Sequence, residues 1–331
     1  MRQRGATRHR PLTVSLQDKG NGRPDCERGP VKVRVGYGFG VRTQLNDTSF
    51  FDVVDALEDL RYDSLWVSER IGSECPDPVV AMSVAAARTK KLKFGMSVMV
   101  LPGRNPVLLA KQLATLDRMS NGRLLPAFGL GVADSAEQQA FGVERVERAK
   151  MFDEALDVMR KCWLDDVVNH EGRWFTLRDL RVEPKPKQQP PDVWLGGIAP
   201  SELKRVARMS DGWLPSFVMP DEAATGWETI NTHARELGRS IEDEHFGVLI
   251  PYRFGPLPAA LAAGLGARRP DLADPGVLVP NGWDELVLRI KEFIAVGASK
   301  FVVLPLVEPA GSDAWIRHLE EAADVVIPLQ T

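Results

Sequence analysis

Cysteine and histidine are scarce in this chain, three and five residues among 331, and neither makes a metal-binding pattern. Cys26, Cys75 and Cys162 are far apart and odd in number, with no CxxC or Cys/His spacing. That argues against zinc and against a disulfide framework, and the thiols read as reduced, cytosolic ones. Long apolar runs are missing too, so no segment is expected to span a bilayer. Nor is there an excess of one charge: 42 Lys and Arg stand against 45 Asp and Glu, mixed along the sequence. Without a basic stripe carrying interleaved aromatics, nucleic acid is not an expected partner. Finally, no His/Asp/Glu cluster recurs at ligand spacing, which weighs against a metal-dependent hydrolase and predicts no metal site.

What is present divides at about residue 30. Residues 1–30 hold most of the early arginines with several Gly and Pro, and predict a disordered basic tail. No apolar segment follows those arginines, so a secretory signal is not expected. A nucleic-acid arm would rest on charge alone. A second reading starts translation at Val31, where the first strand begins. Residues 31–331 can bury a large core, as one α/β barrel or as two ordinary domains.

The most legible fragment runs from Asn105 to Gly131. Asn105 can cap a helix whose first position is Pro106, where a missing N–H costs nothing. Leu109, Leu113 and Leu116 recur at helical spacing, and Gly122 supplies the left-handed residue that stops the helix. The apolar run 124–130 reads as a strand covered on both faces, as in parallel sheet. Pro126 cannot donate to a sheet ladder, so that strand should bulge there or pair only beyond it. Glycines at its end, Gly129 and Gly131, would let a flat or charged ligand approach the backbone.

The same alternation extends along the chain. Strand-type runs at 31–37, 64–68, 92–101, 124–130, 192–196, 212–217, 244–252 and 300–306 are followed by helix-type runs at 49–60, 78–88, the helix opened by Asn105-Pro106, a long stretch through Phe141 and on to Trp163, and runs at 201–209, 221–237, 283–295 and 313–326. About eight β-then-α units close a (β/α)8 TIM barrel. Two inserted loops interrupt it. Residues 164–191 read as a short hairpin and a proline-rich extended stretch, and 253–281 as irregular chain; both would extend from βα loops and could cover a site. A doubly wound open sheet is the alternative, but Gly36, Gly38 and Gly40 lack the spacing of a dinucleotide fingerprint.

YDSLWVSER, KFGMSVMVLPGRNPVLLAKQLATLDRMSNGRLLPAFGLG, ERAKMFDEALDVMRKCW, DVWLGG and SDGWLP occur here in that order. The chain thereby resembles the bacterial luciferase-like superfamily of flavin- and deazaflavin-dependent oxidoreductases, from Val31 to the C-terminus. The resemblance implies a (β/α)8 barrel binding an isoalloxazine-type ring at the carboxyl ends of its strands. Its shorter members resemble this chain most and commonly use coenzyme F420, which moves hydride without activating oxygen.

That resemblance also assigns positions. Ser97 and Val98 stand where the family kinks its third strand under the cofactor ring, usually through a non-prolyl cis peptide. Gly129, Gly131 and Val132 match the strand end that borders the ring and its side chain. Gly196 and Gly197 resemble the turn near the phosphate-bearing tail, and Ser216 a phosphate contact; exposed amides suit an anion. Many deazaflavin-dependent relatives carry an Asp-His pair after the second strand, but here the stretch ends Ser68-Glu69-Arg70. Glu69 is thus the candidate acid or base, and Arg70 the candidate holder of an anionic substrate or phosphate; a structural ion pair is the alternative for both. Arg104 could bind the cofactor's acidic tail or lie at the surface. Tyr37 could line the substrate side of the ring or simply pack. Among the histidines only His170, in the inserted hairpin, could reach in from a lid, and a surface histidine is the more ordinary alternative.

The leading expectation is therefore an oxidoreductase exchanging hydride between F420 and a small organic substrate. An FMN-dependent monooxygenase of the same barrel, fed by a partner reductase, is the alternative, followed by a flavin-binding barrel without catalysis. Relatives are often dimers, so the resemblance also implies a homodimer.

Overall fold

The computed structural model describes residues 32–45 and 47–331. The expected basic tail and the proposed start at Val31 lie outside the described residues. The first strand is Arg34–Phe39, the second Ser64–Val67 and the third Lys93–Met96, resuming as Met99–Val100. The fourth is Leu124–Leu125, resuming as Ala127–Gly129, and the fifth to eighth are Trp194–Leu195, Gly212–Trp213, Gly247–Tyr252 and Lys300–Pro305. All neighbours are parallel. The eighth strand pairs with the first at Arg34↔Lys300, and the first with the second at Tyr37↔Leu65.

The third and fourth strands each change sheet midway, so a six-stranded and a four-stranded sheet are parts of one wall. Bridges Trp213↔Phe246 and Ser216↔Leu249 join the sixth strand to the seventh and close it. This is a (β/α)8 barrel. The fourth strand breaks at Pro126, whose lost donor is the physical reason; its carbonyl still accepts from Trp194 N at 2.8 Å.

Helices begin where the sequence provides caps. Asp77 accepts from Val79 N and Val80 N at the start of Pro78–Arg88, and Asn105 from Val107 N and Leu108 N at the start of Pro106–Met119. The chain leaves the latter through Asn121 and Gly122, at φ 67° and 82°. Three readings need correction. The long helical stretch expected through Phe141 and on to Trp163 is two helices, Ser135–Phe141 and Arg148–Leu164, because Gly142 takes a left-handed conformation and ends the first. The segment 253–281 is not irregular throughout; it carries the helix Ala259–Arg268, which glycine and proline obscured. The segment 164–191 forms the expected hairpin, Val168–Glu171 with Thr176–Leu180, but on a helix-to-strand connection. Gln188 Nε2 bonds the Leu124 carbonyl at the start of the fourth strand, so this insertion belongs to the face opposite the strands' carboxyl ends.

Two cores position the site. Between barrel and helices, a large cluster includes Val35, Tyr37, Leu65, Phe94, Phe128 and Trp315. Inside the barrel a smaller one comprises Trp66, Ala127, Trp194, Leu214, Leu249, Val302 and Leu304. Glycines opposite the two tryptophans make room for them: a Cβ on Gly95 would lie 2.9 Å from Trp66, and one on Gly212 2.6 Å from Trp194. The indoles therefore floor the barrel and confine any ligand to its upper end. Below, Lys300 is buried against Asp63 at 2.6 Å. Burial alone would raise the Asp63 carboxyl, but Lys300 and Lys93 hold it down at about 2.

Candidate active site at the barrel mouth

The mouth is built around the break in the third strand. Ser97 N still bonds the Val67 carbonyl at 2.9 Å, and Leu101 N bonds that of Gly129 at 3.2 Å. Between them the Ser97–Val98 peptide is cis. Val98 faces Gly129, where an added Cβ would fall 2.5 Å from Val98 Cγ2. Gly131, at φ 79°, would likewise place a Cβ 3.1 Å from Val100 Cγ1. The ends of the third and fourth strands thus lie in close apposition, with glycine backbone exposed beside them. The Ser97 hydroxyl oxygen is buried here without a hydrogen-bond partner, the kind of group that a ligand satisfies.

Arg148, which the sequence reading missed, fixes the next loop: its Nη1 donates to the carbonyls of Val132 and Leu130 at 2.7 and 3.3 Å. It is 5 % exposed and starts the helix Arg148–Leu164. A cation in a first helical turn opposes the macrodipole, and that misfit was the available signal.

Glu69 and Arg70 part company. Glu69 accepts from Val100 N at 2.8 Å and pairs with Arg104, which also donates to the Val100 carbonyl. Both partners hold the segment just beyond the kink, so Glu69 is a tie and not a free acid, and Arg104 is engaged with it and not with an acidic tail. Burial pushes the Glu69 carboxyl above its ordinary value despite Arg104. Arg70 pairs with Glu137 at 3.5 Å but leaves Nη1 buried and unpartnered.

Two expected substrate contacts are elsewhere. Tyr37 points out of the barrel, edge-on to Tyr62 and Trp315, with its hydroxyl 2.7 Å from that of Tyr252. Along the first strand Gly36, Gly38 and Gly40 face inward, and alternation puts Tyr37 outside. His170 is held on the flank of the helix Arg148–Leu164, 3.2 Å from Glu154 and from Lys161. The mouth gathers neither.

On the opposite rim, Gly197 (φ 93°) opens the turn before the helix Pro200–Met209. The amides of Ile198 and Ala199, expected to be open to an anion, are instead taken by Glu202, each at 2.9 Å. Positive charge comes from a residue the sequence did not reveal. Arg268, at the end of the inserted helix, lies over the Phe217 ring at 4.8 Å, with Nη2 3.4 Å from Ser216 Oγ. Burial lowers its affinity for a proton, so an anion beside it would offset that cost. Among the described residues no cluster could hold a metal ion and no helix is long and apolar enough to cross a membrane.

The kinked third strand and the bare Gly129 and Gly131 beside it lie at the carboxyl end of an eight-stranded parallel barrel, the end at which such folds bind ligands. The Luciferase-like monooxygenase family model matches residues 41–269, and the chain belongs to that family. It is 30% identical over 161 residues to the phthiodiolone/phenolphthiodiolone dimycocerosates ketoreductase of Mycobacterium kansasii, covering 47% of this chain and 43% of that one. It is 29% identical over 191 residues to the F420-dependent glucose-6-phosphate dehydrogenase of Amycolatopsis mediterranei (strain U-32), covering 55% and 57%. The chain thus spans about half the length of the curated relatives it matches. An F420-dependent secondary alcohol dehydrogenase in complex with an F420-acetone adduct shares the fold at TM-score 0.74 and 21% identity, over 91% of this chain and all of that one. So does the oxygenating constituent of 3,6-diketocamphane monooxygenase from Pseudomonas putida in complex with FMN, at TM-score 0.70 and 17% identity, over 91% and 99%. The proteins this chain is similar to thus include ones named F420-dependent and one solved in complex with FMN.

Proposed function

We propose that this protein exchanges hydride between coenzyme F420 and a small organic substrate. The observation that carries the reading is the cradle itself: Val98 set against bare Gly129, with the Ser97 hydroxyl buried and unpartnered beside them. A planar ring fits such a surface because no side chain intervenes, and it would supply the hydride chemistry. Ser97, Val98, Gly129, Gly131 and Val132 would border the ring. Ser216 and Arg268 would meet an anionic tail, in preference to the amides that Glu202 covers. Arg70 Nη1 is free to take an anionic group of the substrate or cofactor. F420 is favoured over FMN by the relatives that align in sequence, one of them named F420-dependent. The free thiols Cys75 and Cys162 suit a reducing compartment, and a homodimer is part of the same reading.

Titration of the protein with oxidised and reduced F420, and in parallel with FMN, tests this by fluorescence. Micromolar F420 binding without comparable FMN binding is expected. FMN binding alone, with oxygen consumed when reduced FMN is supplied, would replace the reading by that of a monooxygenase. Binding of neither would leave no basis for a ring site.

A further inference from the structure

Past the end of the eighth strand the chain turns back over the first. Glu308 Oε1 accepts from Gly40 N at 3.2 Å, and the Thr43 hydroxyl donates to the same carboxyl. A Cβ on Gly40, whose missing side chain would face the barrel interior, would lie 3.4 Å from Glu308 Oε1 and 3.6 Å from Leu304 Cδ1. Leu304 belongs to the interior cluster. The Glu308 carboxyl therefore stands on the inner side of the rim, above the hydrophobic floor.

Its surroundings differ from those of the other carboxylates at this end. Glu69 has Arg104, Glu137 has Arg70, and Glu202 has two backbone amides. Among the described residues no lysine, arginine or histidine nitrogen comes within ion-pair distance of Glu308. Both of its donors are neutral. A carboxyl without a countercharge, set among Leu304, Gly40 and the rim, favours its protonated form, and burial pushes it up to about 7 despite Thr43 and Gly40. No described histidine competes for the role. His170 and His233 lie on outer helix flanks, His245 precedes the seventh strand, and His318 is bonded to the Tyr252 hydroxyl at 2.6 Å.

We propose that Glu308 is the catalytic acid and base of this site, and that the substrate is accordingly a carbonyl compound or the alcohol it becomes. The proposal rests on the hydride-transfer reading above. Carbon–oxygen reduction needs such a group, because hydride addition leaves an alkoxide that must take a proton. As the carbonyl carbon gains a C–H bond by hydride transfer from reduced deazaflavin, the C=O π pair moves to oxygen, which takes the carboxyl proton and becomes a hydroxyl. The substrate gains two electrons and the deazaflavin loses them. Glu308 is left as a carboxylate held by the Gly40 N–H and the Thr43 hydroxyl, and regains its proton from water at the rim. Alcohol oxidation runs the same steps in reverse.

Glu308→Gln keeps an acceptor for Gly40 N while removing the exchangeable proton. With side-chain carboxyls of glutamate labelled with carbon-13, NMR of the cofactor-free protein should show one resonance that titrates near neutrality and is absent in E308Q. A Glu308 resonance that titrates in the ordinary carboxylate range overturns the proposal. E308Q should bind F420 within about threefold of wild type. With reduced F420 and a panel of acetone, cyclohexanone and 2-octanone, it should lose about 10²- to 10⁴-fold in kcat, together with the limb of the pH profile near neutrality. Equal turnover and an unchanged limb in E308Q overturn the role of Glu308 alone. A wild-type protein that binds F420 but reduces none of the ketones overturns the substrate class. A wild-type protein that binds no F420 removes the cofactor reading, and the proposal with it.

Discussion

If Glu69 and Arg104 tie the third strand rather than perform chemistry, a double-mutant cycle with Glu69→Gln and Arg104→Met should show it. Glu69 has only 4 % of its side chain exposed and Arg104 24 %. Removing one partner of a fully buried pair costs about 3–5 kcal/mol. Arg104 keeps its bond to the Val100 carbonyl at 2.8 Å and some contact with water, so Glu69→Gln should cost less, about 2 kcal/mol. The two singles should be coupled by about 1–2 kcal/mol in chemical denaturation. The pH dependence separates them. Burial raises the Glu69 carboxyl above its ordinary value even with Arg104 present. A carboxyl raised in the folded state gives stability that is complete below its unfolded value, about 4.3, and is lost as pH rises through its folded value. Arg104→Met removes the one cation opposing that rise, so this variant should lose more stability than wild type between mildly acidic and neutral pH. Glu69→Gln should lose less. Because the tie lies next to the cradle, both variants should bind F420 more weakly without any shift in the pH profile of turnover. Additive singles, or an Arg104→Met stability profile parallel to wild type, would refute the reasoning.

Three further predictions concern other parts of the barrel. Asp63 is held at about 2 by Lys300 and Lys93 against burial, so its stabilisation is present above about pH 4 and is lost as pH falls through about 2. Acid unfolding should show roughly 2 kcal/mol of such dependence, absent in Asp63→Asn, which should also be less stable at neutral pH for leaving Lys300 buried and unpaired. Gly129→Ala would place a methyl group 2.5 Å from Val98 Cγ2; since valine is stiff at χ1, Val98 must shift, and F420 titration should show at least about tenfold weaker binding with the circular dichroism unchanged. Arg268→Ala should weaken F420 by about tenfold, or 1.4 kcal/mol, and leave a deazaflavin riboside lacking the phosphate unaffected; equal losses for both ligands would remove Arg268 from the anion end.

The fold was legible because its signals are local and repeated. Asn105-Pro106, the leucines after them and Gly122 specify a helix and its stop within some eighteen residues, and Pro126 announces the break in the next strand on its own. Candidate site residues were most legible where backbone shapes the mouth, as at the cis Ser97–Val98 peptide and Gly129 opposite it. Where a side chain makes it, the outcome depended on partners distant in sequence. For Glu69 the sequence left an acid and a structural ion pair open, and its partner is Arg104, 35 residues on. Tyr37 looked like a rim residue, but the inward glycines on either side of it settle the facing of the whole strand. Glu308 offered no sequence signal, because its surroundings are set by Gly40, 268 positions earlier, and by the lack, among the described residues, of a cation within ion-pair distance. Neither a propensity nor a motif encodes an absent countercharge; closure of the barrel, which brings the first and eighth strands side by side, creates it. The same closure explains why the missing Asp-His pair after the second strand need not mean a missing acid. In a ring of eight strand ends every loop is near the one ligand, so a proton donor at the eighth strand can serve as well as one at the second, provided that its pocket leaves it protonated near neutral pH.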